Sequence, residues 1–458
     1  MRLTTTTPAD QTTGHQPLVA LCLGFFMIIM DATVVNTALP AIGRDLSATV
    51  SGLQWVVDGY TLVFACLLLS GGSFGDRLGA RRVFLLGVAL FTIASAVCGL
   101  APTLAVLNGA RVAQGVGAAL ALPTSLALIN ASYPGRAQRA RAIGVWGGLG
   151  GVAAGLGPVL GGLLTSWAGW QAIFWINVPI GLATIALTRR YVATAPRTPA
   201  RLDPLGQMLA IVTVATLAYG LIEGGARGWS ASPVLTAFMI ALLGGIGFVV
   251  TEQRRRDPML PLGLFRNREF TGSLFIGAAI NIGFYGELFL LSLYFQQVRH
   301  LSPLLAGLAL LPQLGIAWLA STLGGRHTAR LNARPVMLIG LTVGALGLIA
   351  MTWSEATTPY WMLIGPLLAI GFGTAYTMPA ATTTTIEAAP SGQAGIAAGA
   401  LNASRQLGST LGVAVFGALL AGPSGFMTAY HLSVLIGGLV FAAGALTVLR
   451  TIPVTPSR

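Results

Sequence analysis

The sequence predicts an all-α integral membrane protein of two six-helix bundles plus two extra central transmembrane helices, fourteen spans in all. Three observations carry this. More than half of the 458 residues are hydrophobic (54%) and only 9% are charged, a balance far from that of water-soluble domains. The apolar residues gather in runs of the length that crosses a bilayer, about 20 residues per helix. One inner loop recurs later in the chain at a fixed offset.

Candidate spans begin near residues 17, 53, 83, 104, 142, 170, 205, 233, 270, 303, 335, 360, 395 and 429. The polar head before the first run has no small-residue cleavage signature, so that run is expected to be retained as span 1 rather than removed as a signal peptide. All 26 basic residues are arginine. With the N-terminus placed in the cytoplasm, 21 of them fall on the inner side and only Arg44, Arg227 and Arg299 on the outer, while Arg111 and Arg405 lie inside spans. That asymmetry predicts both termini in the cytoplasm of a bacterial inner (plasma) membrane.

The repeat pairs GGSFGDRLGARRVFLLG (71–87) with GGRHTARLNARPVMLIG (324–340), nine of seventeen positions being identical at an offset of 253. The same offset maps the ninth span onto the first. The expected organisation is therefore a first six-helix half over 1–190, two extra helices and cytoplasmic linkers over 191–265, and a second half over 266–458. Parallel halves of this kind, with binding near the midplane, are the architecture of transporters.

Composition and motifs exclude several functions. Without lysine the chain has no P-loop to hold ATP phosphates. The serines form no Gly-x-Ser-x-Gly elbow, so no hydrolase nucleophile is visible and an enzyme is not expected. Cys22, Cys66 and Cys98 all sit in apolar runs and read as core residues. The four histidines fall in loops or near helix ends with no metal-ligand spacing, and are expected to be solvated. The basic residues are dispersed between apolar runs, which is topology rather than a nucleic-acid patch.

Against this apolar background the intramembrane ionisable residues stand out, because a charge in hydrocarbon costs several kcal/mol and usually marks a pathway. They are Asp31 in span 1, Asp58 in span 2, Arg111 in span 4, Glu287 in span 9 and Arg405 in span 13. Helix rise places Asp31, Asp58 and Arg111 at similar depth. A buried carboxylate beside a guanidinium can exchange a proton for a cationic substrate; the alternative is a static pair that only ties two helices together. Asn108, Arg111 and Gln114, and again Asn402, Arg405, Gln406 and Ser409, recur at helical spacing and suggest cavity walls or interhelical hydrogen bonds. In span 5, nine glycines from Gly144 to Gly162 surround Pro158, a close-packing and hinge element.

These residues resemble the fourteen-span drug:proton antiporter branch of the major facilitator superfamily over nearly the whole chain. MDATVVNTALP is similar to its first-helix motif, placing Asp31, Asn36 and Pro40. GGSFGDRLGARR is similar to its loop between helices 2 and 3, with Gly72, Asp76, Arg77, Gly79 and Arg81 matching and Ala80 standing where a basic residue is usual. The resemblance implies that this loop gates switching, with Asp76 in an inner charge relay. LNGARVAQGVGAA resembles the helix 4 motif, whose arginine, here Arg111, is implicated in proton coupling. GLGPVLGG resembles the helix 5 antiporter motif through Gly157, Pro158, Gly161 and Gly162. Asp58 sits where many relatives are uncharged.

The resemblance implies the major facilitator fold and a proton-coupled secondary exporter of amphipathic, cationic drugs or toxic compounds, working by alternating access. A proton-coupled transporter of a specific metabolite, or a nutrient importer, is the alternative. No cofactor beyond the proton gradient, no metal and no nucleic acid are expected. The expected partners are the lipid bilayer, protons and a small-molecule substrate, with the monomer as working unit.

Overall fold

The structure, a computed structural model, describes residues 15–133, 135–194, 203–255, 258–390 and 393–453. Five of the inner arginines, Arg2, Arg197, Arg201, Arg256 and Arg458, lie outside the described residues. Sixteen α-helices follow in order: α1 Gln16–Asp45, α2 Val50–Leu78, α3 Ala80–Gly99, α4 Leu104–Ser132, α5 Arg136–Ala168, α6 Ala172–Trp175, α7 Asn177–Tyr191, α8 Pro204–Arg227, α9 Ser232–Arg254, α10 Arg268–Leu293, α11 Pro303–Ala309, α12 Leu311–Leu331, α13 Ala333–Ala350, α14 Tyr360–Glu387, α15 Ala394–Ala421 and α16 Phe426–Thr451. No strand occurs among the described residues.

Helices α6 and α7 form one rod broken at Ile176, and α11 and α12 another broken at Leu310, where Pro312 begins the second piece. A π-helical turn, Tyr294–Val298, extends α10. Fourteen rods result, each within a few residues of the start expected from sequence. Thirteen of the described segments are long and apolar enough to cross a membrane. The fourteenth, α15, falls short of that hydropathy because it carries Asn402, Ser404, Arg405, Gln406 and Ser409. It lies against α10, α2 and α8.

The repeat is visible in the backbone. Gly79, with φ of 99°, ends α2, and Asn332, with φ of 72°, ends α12. These are the same position of the two copies, and glycine and asparagine are the residues that enter this region with least strain. Both corners let the next helix begin one residue later. The helix pairs beyond them also match: Gly87 packs on the backbone of α4, and Gly340 on that of α14.

How the two halves meet decides the shape of the interior. At the arginine-poor end they are joined. Gln54 Nε2 donates to the carbonyls of Val413 (3.1 Å) and Ala414 (2.9 Å), Gln296 Nε2 to that of Thr37 (2.9 Å), and Ser292 Oγ to that of Asn36. One apolar cluster there runs unbroken from Val34, Leu39 and Leu53 to Phe289, Phe295 and Phe416. Toward the arginine-rich end the cores separate. Met27, Phe64, Phe84 and Ile129 form one cluster, and Leu264, Phe270, Ala397 and Leu401 another.

The glycines of α5 trace the divergence. Gly162 meets the Pro303 carbonyl, Gly307 meets that of Pro158, and Gly155 still faces the Leu314 carbonyl, 3.7 Å from where a Cβ would stand. Gly151, Gly148, Gly147 and Gly144 then face open space. The protein is closed at the arginine-poor end and open at the other. The extra helices α8 and α9 pack on each other, and α8 also touches both halves: Gln207 Nε2 donates to the Cys66 carbonyl of α2 (2.6 Å), and Gly225 lies on Ala418 of α15.

Two histidines depart from the solvated state expected of them. His327 Nδ1 pairs with the Tyr376 hydroxyl at 2.7 Å, and His431 Nε2 with the Ser354 carbonyl at 2.7 Å; both rings are half-buried. Each lies where two helices approach, so the polar ring replaces water with a protein partner.

Because a Cβ on Gly162 would run into the Pro303 carbonyl and the Leu304 Cα, Gly162→Val should force α5 and α11 apart at the closed end. Spin labels at Ser51, in the first turn of α2, and Ser424, on the loop after α15, both at that end, should show a longer mean separation in the variant than in the unsubstituted chain. An unchanged distance distribution would show that this contact does not hold the end shut.

Candidate functional site

The polar centre of the first half is built by six helices around Asp31. Its side chain is fully buried, as are those of Arg111, Gln114, Ser95 and Asn177. Arg111 Nη1 donates to Asp31 Oδ2 in an ion pair between α4 and α1. Asp31 Oδ1 accepts from Asn177 Nδ2 of α7 at 2.8 Å and from Gln114 Nε2 of α4 at 3.3 Å. The carboxylate therefore has donors at both oxygens, the condition under which a buried charge is tolerable.

Arg111 is held as tightly. Its Nε donates to the Val56 carbonyl of α2 at 2.9 Å and its Nη1 to Gln114 Oε1 at 2.9 Å. The guanidinium carbon lies 4.5 Å from the centroid of the Tyr60 ring and 5.8 Å from that of Phe174, distances at which an aromatic face attracts a cation. Tyr60 is in turn fixed by donation to the Ile28 carbonyl, 3.1 Å away. Gln114 passes the network on to α3: its Nε2 donates to Ser95 Oγ at 2.7 Å, and its Oε1 accepts from Cys98 Sγ at 3.3 Å. Two atoms in this web, Arg111 Nη2 and Asn177 Oδ1, are buried with no hydrogen-bond partner.

The other expected residues do not join this centre. Asp58 is fully buried where α2 meets α15; its Oδ1 accepts from Thr61 Oγ1 (3.3 Å), Thr61 pairs with Thr410 of the second half (3.2 Å), and its Oδ2 has no partner. Glu287 is enclosed in the second half, where Gln313 Nε2 of α12 donates to its Oε2 at 2.7 Å and Oε1 is unpartnered. Arg405 is half-buried on α15 and donates to Asn402 Oδ1 at 3.3 Å, while its Nε has no partner. Asp31, Arg111 and Gln114 thus form one unit, and Asp58, Glu287 and Arg405 stand apart from it.

The gating-loop residues surround the α2–α3 corner. Gly72 lies beside Pro123, Gly79 makes the turn, and Arg81 donates to the Arg189 carbonyl. Asp76 and Arg77 are exposed, and among the described residues no ion pair includes either. The charge relay expected at Asp76 is not formed in this open arrangement. The helix 5 residues are all in contact: Gly157 and Gly161 against Thr33, Val34 and Thr37 of α1, and Pro158 and Gly162 against α11. Sequence reasoning gave no role to Asn177, Tyr60, Ser95 or Phe174. The one available signal was a lone asparagine in an apolar stretch, at the start of a helix that resumes after a break.

A multi-pass bundle of apolar helices, with a gap between halves and a buried ion pair beside it, is the construction of a membrane transporter. The sequence agrees with the Major Facilitator Superfamily over residues 21–413 and 313–458, and the chain belongs to that family. It is 38% identical over 435 residues to the methylenomycin A resistance protein of Streptomyces coelicolor, covering 95% of this chain and 92% of that one. It is 40% identical over 405 residues to the multidrug resistance protein Stp of Mycobacterium tuberculosis, covering 88% and 75%. Among solved structures it is similar to a POT family transporter in complex with a thioalcohol-conjugated peptide, with a TM-score of 0.74 at 14% identity over 97% of this chain and 99% of that one. A bacterial homologue of the human lysosomal transporter Spinster, in an inward-facing conformation, gives 0.67 at 18% identity over 96% and 97%. These two likenesses are of fold.

Removing one partner of a buried ion pair leaves the other uncompensated, at a cost of about 4 kcal/mol. Arg111→Gln is therefore expected to lower unfolding stability in detergent by about that amount, and Asp31→Asn/Arg111→Gln to recover most of it. A double variant as unstable as Arg111→Gln would show that the cost is lost packing on Tyr60 and Phe174 rather than charge.

Proposed function

We propose that the protein is a proton-coupled secondary exporter, an antiporter of amphipathic drugs or toxic compounds, in a bacterial inner membrane with both termini in the cytoplasm. The observation that carries this reading is the Asp31–Arg111 pair, fully buried and tied to α2, α3, α6 and α7 as well as to its own helices. A proton delivered to Asp31 cancels the carboxylate and leaves the Arg111 guanidinium buried without its counter-charge, a cost of several kcal/mol unless the surrounding helices move. Protonation and helix arrangement are thereby linked. That linkage is what alternating access driven by a proton gradient requires.

Orientation follows from charge. Placing the arginine-rich loops in the cytoplasm makes the open side the cytoplasmic one, so the structure stands ready to load from inside. The named relatives support export: besides those above, similar proteins include the tetracenomycin C resistance and export protein of Streptomyces glaucescens and the drug efflux pump JefA of Mycobacterium tuberculosis. A preference for cations would need a carboxylate facing the gap, and Asp31, Asp58 and Glu287 are each enclosed here. The substrate class is therefore stated as amphipathic. The proton gradient is the only energy source in this reading, and one chain suffices because each half supplies a wall.

In inverted vesicles with an imposed pH gradient, the wild type should accumulate an amphipathic dye only while the gradient lasts. Asp31→Asn should abolish that accumulation while retaining energy-independent counterflow of the same dye. Gradient-driven accumulation by Asp31→Asn at the wild-type level would remove Asp31 from proton coupling.

A further inference from the structure

Arg405 is an arginine in the membrane interior with no carboxylate paired to it among the described residues. Its counterpart Arg111 shows what compensation looks like: an ion pair, a backbone acceptor and two aromatic faces. Arg405 has one side-chain acceptor, Asn402 Oδ1 at 3.3 Å, and a buried Nε with none. Holding a guanidinium in a low-dielectric interior without an anion is expensive, so its partner is to be sought in something that arrives.

Its placement says what arrives. Arg405 leans its stem on Gly277 of α10. Further along α15, Thr410 meets Thr61 of α2, whereas Asn402, Arg405 and Gln406 are half-buried at the level where the cores of the two halves have separated, beside the space between them. Across that space Asp31 is occupied by Arg111, Asn177 and Gln114, while Asp58 and Glu287 are enclosed within helix contacts. Of these interior charged residues, Arg405 is the one that is partly exposed.

We infer that Arg405, with Asn402, forms an anion subsite that takes the carboxylate of an amphipathic substrate, whose apolar body lies in the gap. This rests on the exporter reading and specifies its substrate. The guanidinium fork offers parallel N–H donors to both carboxylate oxygens, and Asn402, which accepts from it at 3.3 Å, is positioned to orient the fork.

The test uses two dyes of one ring skeleton and different charge: fluorescein, which carries a carboxylate, and rhodamine 123, a cation in which that carboxyl is esterified. Purified full-length protein in proteoliposomes should transport fluorescein under a pH gradient. Losing a charge-assisted hydrogen bond predicts that Arg405→Gln raises the KM for fluorescein about tenfold relative to that for rhodamine 123 in the same vesicles, with Arg405→Lys between the two. Parallel changes for both dyes would make Arg405 a structural or coupling residue and overturn the inference. Wild-type transport of rhodamine 123 without fluorescein would overturn it while leaving the exporter reading intact. Should neither dye move, the exporter reading fails for these compounds, and the subsite is read by thermal shift of the protein in lipid nanodiscs. Stabilisation by octanoate that octylammonium and chloride do not reproduce, and that Arg405→Gln removes, supports it. Equal stabilisation by octylammonium, by chloride, or in Arg405→Gln overturns it.

Discussion

An ionised carboxylate in the middle of a helical membrane bundle is costly unless something answers its charge, and the first half of this protein meets that cost at Asp31. Asp31 draws Arg111 from α4, Gln114 from the same face, and Asn177 from α7. Arg111 in turn needs the Val56 carbonyl and the rings of Tyr60 and Phe174. Each partner fixes the rotation of the helix that bears it. In a hydrocarbon setting, where apolar contact gives little preference for one helix rotation over another, such polar contacts decide register.

The second constraint is close approach. Backbone meets backbone at Gly157, Gly161 and Gly162, where side chains would hold the helices apart, and this lets α5 serve both α1 and α11 at the closed end. The same helix, a few turns on, carries glycines that touch nothing. One element thus works as clasp at one end and as open wall at the other, which suits a part that must exchange contacts during a rocking motion.

The halves share a fold through the repeat and differ in charge. The first closes its arginine into a neutral unit; the second leaves Arg405 uncompensated and encloses its acid, Glu287, beside Gln313. The proposed division of labour, with proton coupling in the first half and substrate recognition in the second, rests on this asymmetry. The extra helix α8, in contact with α2 and α15, bridges the two and places a further restraint on their relative motion.

Much of this was legible in the chain. Span length and apolar runs located all fourteen rods, because bilayer thickness and helix rise leave little freedom in where a helix begins and ends. The 253-residue offset anticipated the paired corners at Gly79 and Asn332. The acids and arginines of the interior were visible as exceptions to hydropathy. What sequence alone left open was pairing. Asp31, Asp58 and Arg111 lie at similar depth along three helices, and depth does not say which way each side chain points. Rotation about the helix axes, set by contacts among six helices, joined Asp31 to Arg111 and left Asp58 with Thr61. The same rotations recruited Asn177, set the polar stripe of α15 half-buried beside its neighbours, and left Asp76 without an ion pair among the described residues. Composition and periodicity are properties of one helix at a time, whereas compensation of a buried charge is a property of the whole bundle, so only the tertiary structure decided it.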